Sequence, residues 1–344
     1  MEQLLNTLFV QTEGLVLSLE QENVVIKKDQ VIVQRIPLHH LGSIAVLGRV
    51  ILTSPLIAKC AADGRSIAYF NEVGKYQYRI EGPVSGNILL RQAQFQAHEN
   101  EDKTILIAKT IVIGKISNCR NNILRIIREN KLEVEGIKAI AAEMKRDMQK
   151  LLNNDYTLDE VRGIEGMNAR RYFSVFNEWI KQERRNDFVF ERRTRRPPLD
   201  RVNAALSFAY SLMLSDVTAA VQGTGMDHQL GFLHALRPGR PALALDLLEE
   251  FRPLCDRLIF SLINRQQLSK TDFIKEAHGN GAVYLNDQGR KKVIVAYQEH
   301  KKREIMHPVL KRNVQYGLIP HIQARLFARY LREDQSVYIP FTYR

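Results

Sequence analysis

Four side chains have the types and spacing to act on a phosphodiester: Glu165, His234, Asp246 and Glu249. Asp246 and Glu249 stand three residues apart in ALALDLLEEFRP, so on a helix they share one face. Their neighbours Leu243, Leu245, Leu247, Leu248 and Phe251 send that segment into a core, where an unpaired carboxylate is costly. His234 lies upstream of a Pro238-Gly239-Arg240-Pro241 turn that can fold it back. Glu165 is flanked by Gly163 and Gly166 at the expected opening of a helix, where small neighbours leave it free to reach a site. Carboxylates, a histidine and a basic surround are what a divalent cation acting on phosphate needs. Each residue also has a plainer reading. The two acids could face solvent and pair with Arg252 or Arg240, His234 could be an ordinary core or surface histidine, and Glu165 could satisfy a helix dipole. Their conjunction points to a metal-assisted site.

The charge balance agrees. Across 344 residues, 50 Lys+Arg against 38 Asp+Glu leave a net +12, an excess that suits a polyanionic partner such as nucleic acid. The stretch RRNDFVFERRTRRPPLDR, residues 184–201, is its densest part, with Phe188, Val189 and Phe190 interleaved. Pro197-Pro198 blocks helix there, so a surface loop that binds phosphate is expected. Other chemistries lack support: no GxGxxG, no P-loop lysine after Gly223-Thr224-Gly225 and no GxSxG elbow occur. Cys60, Cys119 and Cys255 form no CxxC pair, which argues against a zinc site or a disulfide framework. With no uninterrupted apolar run of about 18 residues and an acidic first segment, the chain reads as cytoplasmic, with no membrane association.

These residues must be positioned by an α+β architecture. Short β-branched segments recur through the first eighty residues, at Leu15–Leu19, Val24–Lys27, Val31–Arg35, Ser43–Val46, Ser66–Phe70 and Tyr76–Glu81, with one helix near Pro55–Ala62. That spacing predicts a small sandwich rather than a parallel sheet. Glu81 to Gly86 marks the boundary, and the apolar spacing then turns helical through Ile105–Ile127 and Ile137–Leu152. A further helix starts at Asp200, its expected N-cap; His278-Gly279-Asn280-Gly281 reads as a turn, and strand-like sequence returns at Gly281–Leu285 and Lys292–Val295. The expected division is a β-rich, sandwich-like N-terminal domain over 1–82, serving dimerisation, a linker over 83–96, and a larger all-α metal-binding catalytic domain over 97–344.

Three runs, RRPPLDRVNAALSFAYSLM, GFLHALRPGRPALALDLLEEFRP and GAVYLNDQGRKKVIVAYQEHKKREIMHP, resemble CRISPR-associated protein 1, most of all the form found with subtype I-C systems. The resemblance covers nearly the whole chain and implies a metal-dependent DNA endonuclease and integrase that inserts spacers into CRISPR arrays, part of antiviral defence. By motif it implies Glu165, His234 and Glu249 as the catalytic Mg²⁺ or Mn²⁺ ligands, with Asp246 matching a family acid beside the metal; which acid is the closer ligand stays open. Arg195, Arg196, Arg237 and Arg240 are the candidates for the DNA backbone, because guanidinium forks suit phosphate. The implied partners are double-stranded DNA (prespacer and CRISPR repeat), a second copy of the chain, CRISPR-associated protein 2 bridging the dimers, and a Cas4-type exonuclease often nearby. The competing function is a stand-alone, structure-specific nuclease acting on branched DNA in repair.

Overall fold

The computed structural model describes residues 6–71, 76–80, 82, 88–130, 135–276 and 281–343. The expected boundary over 81–86 lies outside them apart from Gly82, as does the expected turn at 278–280.

The chain begins with strands β1 (Asn6–Val10), β2 (Leu15–Glu20), β3 (Asn23–Lys28), β4 (Val31–Pro37), β5 (Leu41–Leu47) and β6 (Ile51–Leu52), then helix α1 (Ser54–Ala62) and strands β7 (Ser66–Phe70) and β8 (Tyr76–Ile80). They form two four-stranded sheets, ordered β1-β5-β7-β8 and β4-β3-β2-β6. The second grows from tight hairpins whose two-residue turns, Gln21-Glu22 and Asp29-Gln30, both hold left-handed backbone, which matches the strand twist. In the first sheet, β5 pairs parallel with both β1 and β7. The two sheets bear out the expected β-rich region, but this one is mixed: α1 returns the chain across the sheet, a connection that short turn signals do not reveal. Side-chain alternation gives this sheet two jobs. Ile44, Val46 and Ile67 face the N-terminal core, whereas Ala45, Leu47, Ala68 and Phe70 join the large core of the helical region.

The helical region contains α2 (Ile88–Glu99), α3 (Glu101–Asn130), α4 (Glu135–Asn153), α5 (Leu158–Ser174), α6 (Phe176–Trp179), α7 (Arg201–Gly223), α8 (Ala242–Leu248) and α9 (Arg252–Asn264). Beyond these lie the hairpin β9 (Phe273–Lys275) and β10 (Val283–Leu285), helix α10 (Asp287–Lys302), the hairpin β11 (Glu304–Met306) and β12 (Asn313–Gln315), and α11 (Ile319–Leu331). Residues 88–96, expected as linker, are instead most of α2. The buried Gln94 on that helix donates its amide to the carbonyls of Asp227 and Leu230, both at 2.8 Å, and so supports the segment that carries His234. Lys292–Val295, expected as strand, lies in α10. Asn286 caps it by accepting from the Gly289 N–H at 2.9 Å, and Val293, Ile294 and Tyr297 form its buried stripe, so capping and helical period override β-branching. Asp200 caps α7 as expected, accepting from the Asn203 N–H at 2.7 Å. By length and composition α7 could cross a membrane, yet most of it is buried at the centre of the helical core.

Candidate active site

Asp246 occupies the last turn of α8, and Glu249 is the residue on which that helix ends before α9 turns away. The shared helical face expected for the two acids is thus one helical turn and its cap. Residues 224–241 contain neither helix nor strand and loop back over α8, closed by a turn in which the Arg240 N–H donates to the Arg237 carbonyl at 3.0 Å. His234 returns on this loop.

Asp246 is fully buried and accepts four N–H groups. The backbone of Phe232 (2.6 Å) and Leu233 (3.0 Å) donates to Oδ2; the backbone of His234 (2.9 Å) and its ring Nδ1 (2.7 Å) meet Oδ1. Gly231 makes this approach possible: a Cβ there would stand 2.7 Å from Asp246 Oδ2. With Nδ1 donating to a carboxylate, the His234 tautomer leaves the Nε2 lone pair free, and Nε2 faces Glu249 Oε1 at 3.9 Å. The two acids therefore differ in their surroundings. Asp246 stands behind the histidine with its oxygens taken by N–H donors, and Glu249 fronts the cleft.

Glu165 reaches the same cleft from α5. That helix begins at Thr157, in a reciprocal cap with Glu160, so Glu165 lies past its first two turns rather than at its opening. The Arg162 guanidinium on α5 donates to the Leu233 carbonyl at 2.7 Å and ties the helix to the histidine loop. Arg162, Glu165, Leu233, His234, Ala235 and Glu249 line a cleft of about 270 Å³.

Sequence reasoning missed Lys115, on α3. Its ammonium pairs with Glu165 Oε1 and, at 2.5 Å, with Glu249 Oε2. Burial alone would lower this amine, but Glu249 and then Glu165 outweigh that and hold it above the usual lysine range. Burial would likewise raise the Glu249 carboxyl; Arg252 (2.9 Å from Oε1) and Lys115 outweigh it and hold the group well below the usual carboxylate range. Pairing of Glu249 with Arg252, the plainer reading, thus occurs inside the site, where Arg252 also lies over the Tyr210 ring at 4.8 Å. The available signal was positional. Lys115, Asn118 and Asn122 interrupt the apolar period of α3, and both asparagines are buried: Asn118 donates to the Glu250 and Phe341 carbonyls, Asn122 to the Tyr172 hydroxyl and the Pro253 carbonyl. Glu250, beside Glu249, is pushed by burial to about 7, although the Tyr338 hydroxyl (2.6 Å), the Phe341 N–H (2.8 Å) and the Gln323 amide (3.1 Å) all donate to it.

The donor set fits a hard divalent cation in kind: two carboxylates and an imidazole nitrogen with a free lone pair open onto one cleft. Glu249 Oε2 is moreover buried and accepts no well-aligned hydrogen bond; it has only its ion pair with Lys115 among the described residues. As they stand, no three His, Cys, Asp or Glu groups among the described residues converge closely enough to hold a metal ion. Lys115 instead occupies the space between Glu165 and Glu249.

The arginines gather beside the cleft. Arg195, Arg196 and Arg237 are exposed, and Arg240 is partly buried. Burial first, then Arg237, with Arg195 and Arg196 also acting, lowers the Arg240 guanidinium, so two loops distant in sequence share one basic face. Phe188 and Phe190 do not join it. Both are buried, Phe190 against Phe176 and Phe188 against Phe273, and they anchor the basic loop to the core. Arg193 also turns inward, to Asn203 Oδ1 at 2.6 Å.

Comparison with known proteins matches the chain to one family. The model of the family "CRISPR associated protein Cas1" matches residues 8–299. CRISPR-associated endonuclease Cas1 1 of Moorella thermoacetica is 47% identical over 344 residues, 99% of each chain. Its Rhodospirillum rubrum counterpart, Cas1 2, is 44% identical over 350 residues, 100% of each. A Geobacter sulfurreducens Cas4 exonuclease/Cas1 endonuclease fusion is 30% identical over 340 residues, 98% of this chain and 60% of its own. Among solved structures, a casposase bound to integration product superposes with TM-score 0.84 at 21% identity, over 97% of this chain and 93% of that one. A CAS1 protein from Thermotoga maritima gives 0.80 at 24%, over 98% and 100%. A Cas6-RT-Cas1–Cas2 complex gives 0.81 at 23%, over 99% of this chain and 36% of its own. These structures share the fold, β-rich sheets followed by helices, and the full-length identity to the Moorella and Rhodospirillum proteins goes further: the chain belongs to the CRISPR-associated Cas1 endonuclease family.

Proposed function

We propose that the protein joins DNA ends into CRISPR arrays at this cleft, with Mg²⁺ or Mn²⁺ held by Glu165, His234 Nε2 and Glu249. The observation that carries the reading is that these three groups line one cleft beside an arginine face, in a chain of the Cas1 family. A divalent cation bound there would polarise the scissile phosphate and stabilise the leaving oxygen. The chain's own groups do the rest. Asp246 fixes the histidine tautomer, Arg252 holds Glu249 in place, and Arg195, Arg196, Arg237 and Arg240 neutralise the DNA backbone and set its register. In the reaction a 3′-hydroxyl of a captured duplex forms a new P–O bond at a repeat phosphate, the P–O bond to the displaced 3′-oxygen breaks, and the hydroxyl proton passes through solvent to that oxygen.

The same proposal covers the assembly: a homodimer acting on prespacer and repeat DNA, bridged by CRISPR-associated protein 2, assisted by a Cas4-type exonuclease, of the subtype I-C form, in the cytoplasm. A Cas1–Cas2 complex among proteins of this fold and a Cas4 fusion among the relatives support the partners. The test combines the protein, the small companion protein, Mn²⁺, a labelled duplex with free 3′-hydroxyls and a supercoiled plasmid bearing a repeat. Label joined to the plasmid by wild type, and by neither Glu165→Ala nor His234→Ala, is the expected result. Nicking without joining would replace integration by the branched-DNA nuclease, and joining by both variants would remove these residues from the site.

A further inference from the structure

Among the described residues, Lys115 is the one cation that touches both proposed carboxylate ligands. It takes Glu165 Oε1 and Glu249 Oε2, while Arg252 holds the other Glu249 oxygen at 2.9 Å. Its side chain is 13% exposed, against 25% for Glu165 and 5% for Glu249, so the triad is largely withdrawn from water. Two carboxylates brought together in such a place repel each other unless a positive charge lies between them. A divalent cation shared by Glu165 and Glu249 would need the oxygens that the ammonium now holds, and a second positive charge could not stay among them. Lysine suits exchange. It is a compact charge on a flexible four-carbon stem, and the two carboxylates it holds line the cleft, whereas Arg252 is stacked on Tyr210 and stays.

We infer that Lys115 is a built-in counter-cation: it holds Glu165 and Glu249 together when no divalent ion is bound, and metal binding must displace it. This rests on the metal-site reading above. Lys115 acts as a positioning residue, and its effect is on metal affinity. If the carboxylates are free of the lysine in about a tenth of molecules, apparent affinity is about ten-fold weaker than the bare site would give.

The experiment is calorimetric titration of Mn²⁺ into wild type, Lys115→Met and Glu165→Ala, each checked for folding by circular dichroism. Lys115→Met should bind Mn²⁺ about ten-fold more tightly than wild type, and Glu165→Ala more weakly. Equal or weaker binding by folded Lys115→Met overturns the inference, while wild-type-like binding by Glu165→Ala overturns the metal-site reading beneath it. A second measurement needs no variant. Amine acetylation of the wild type, read by peptide mass spectrometry, should modify Lys115 several-fold faster with saturating Mg²⁺ than without, relative to the exposed Lys302. An unchanged ratio overturns the exchange even if Lys115→Met does not fold.

Discussion

Replacing Asp246 by asparagine tests how the site is held. The side chain keeps its shape but loses one acceptor oxygen and gains an NH₂ group, at a position where four N–H groups converge at 2.6–3.0 Å. Two orientations are open to the amide. With its oxygen on the histidine side, the Phe232 and Leu233 N–H groups point at an NH₂; each buried donor left unpaired costs about 1–3 kcal/mol, or about 2–6 kcal/mol together. With the amide reversed, the His234 backbone N–H is orphaned and ring Nδ1 accepts instead of donating. The proton then moves to Nε2, and the cleft meets an N–H where it had a lone pair. Either way the loss is large, because no water reaches this fully buried carboxylate to compensate. Urea unfolding followed by circular dichroism measures the first term. Mn²⁺ titration measures the second, for which loss of a carboxylate behind a ligating histidine predicts about a 10–100-fold drop in affinity. Asp246→Asn with stability within roughly 0.5 kcal/mol of wild type and undiminished Mn²⁺ binding would refute the reasoning.

Two further outcomes are expected. Glu250, raised to about 7 from an ordinary 4.5, binds its proton more tightly in the folded state, so its contribution to stability is full below pH 4.5 and is lost as pH rises through 7. Subtracting Glu250→Gln from wild type across that window should show a fall of about 3 kcal/mol, being 2.5 units at 1.36 kcal/mol each; a flat difference would show that the carboxyl titrates normally. Arg195→Ala/Arg196→Ala should weaken binding to all duplexes alike and reduce the slope of log K against log salt by about 2, at about 0.9 for each phosphate left without its arginine. An unchanged slope would place these arginines off the DNA path.

The sequence made the α+β order and the chemically loud residues legible. An aspartate, a glutamate and a histidine in an apolar run announce themselves because burying them demands a partner. Lys115 did not, because a lysine on a 30-residue amphipathic helix reads as solvent-facing until α5 and the α8 end are laid over it. Asp246 and Glu249 looked interchangeable in a linear pattern; only the loop of backbone N–H groups from Phe232 to His234, a tertiary feature, assigns one behind the imidazole and the other in front. Phe188 and Phe190 misled for the opposite reason. Aromatics among arginines suit a binding loop, but here they are the plugs that fix it to the core.

The strap of residues 338–343 across α3 bears on when in the life of the molecule the site exists. Tyr338 and the Phe341 N–H hold Glu250, the Phe341 carbonyl takes Asn118, and Tyr343 closes on Asn118 and Asn122, so that the α3 contacts span more than 200 positions of chain. Translation must run past Tyr343 before Glu250, Asn118 and Asn122 find these partners, well after Glu165, His234 and Glu249 have left the ribosome. Nascent and prematurely terminated chains would carry Glu165, His234 and Glu249 without the strap that packs beside them, so the proposed centre would be assembled late.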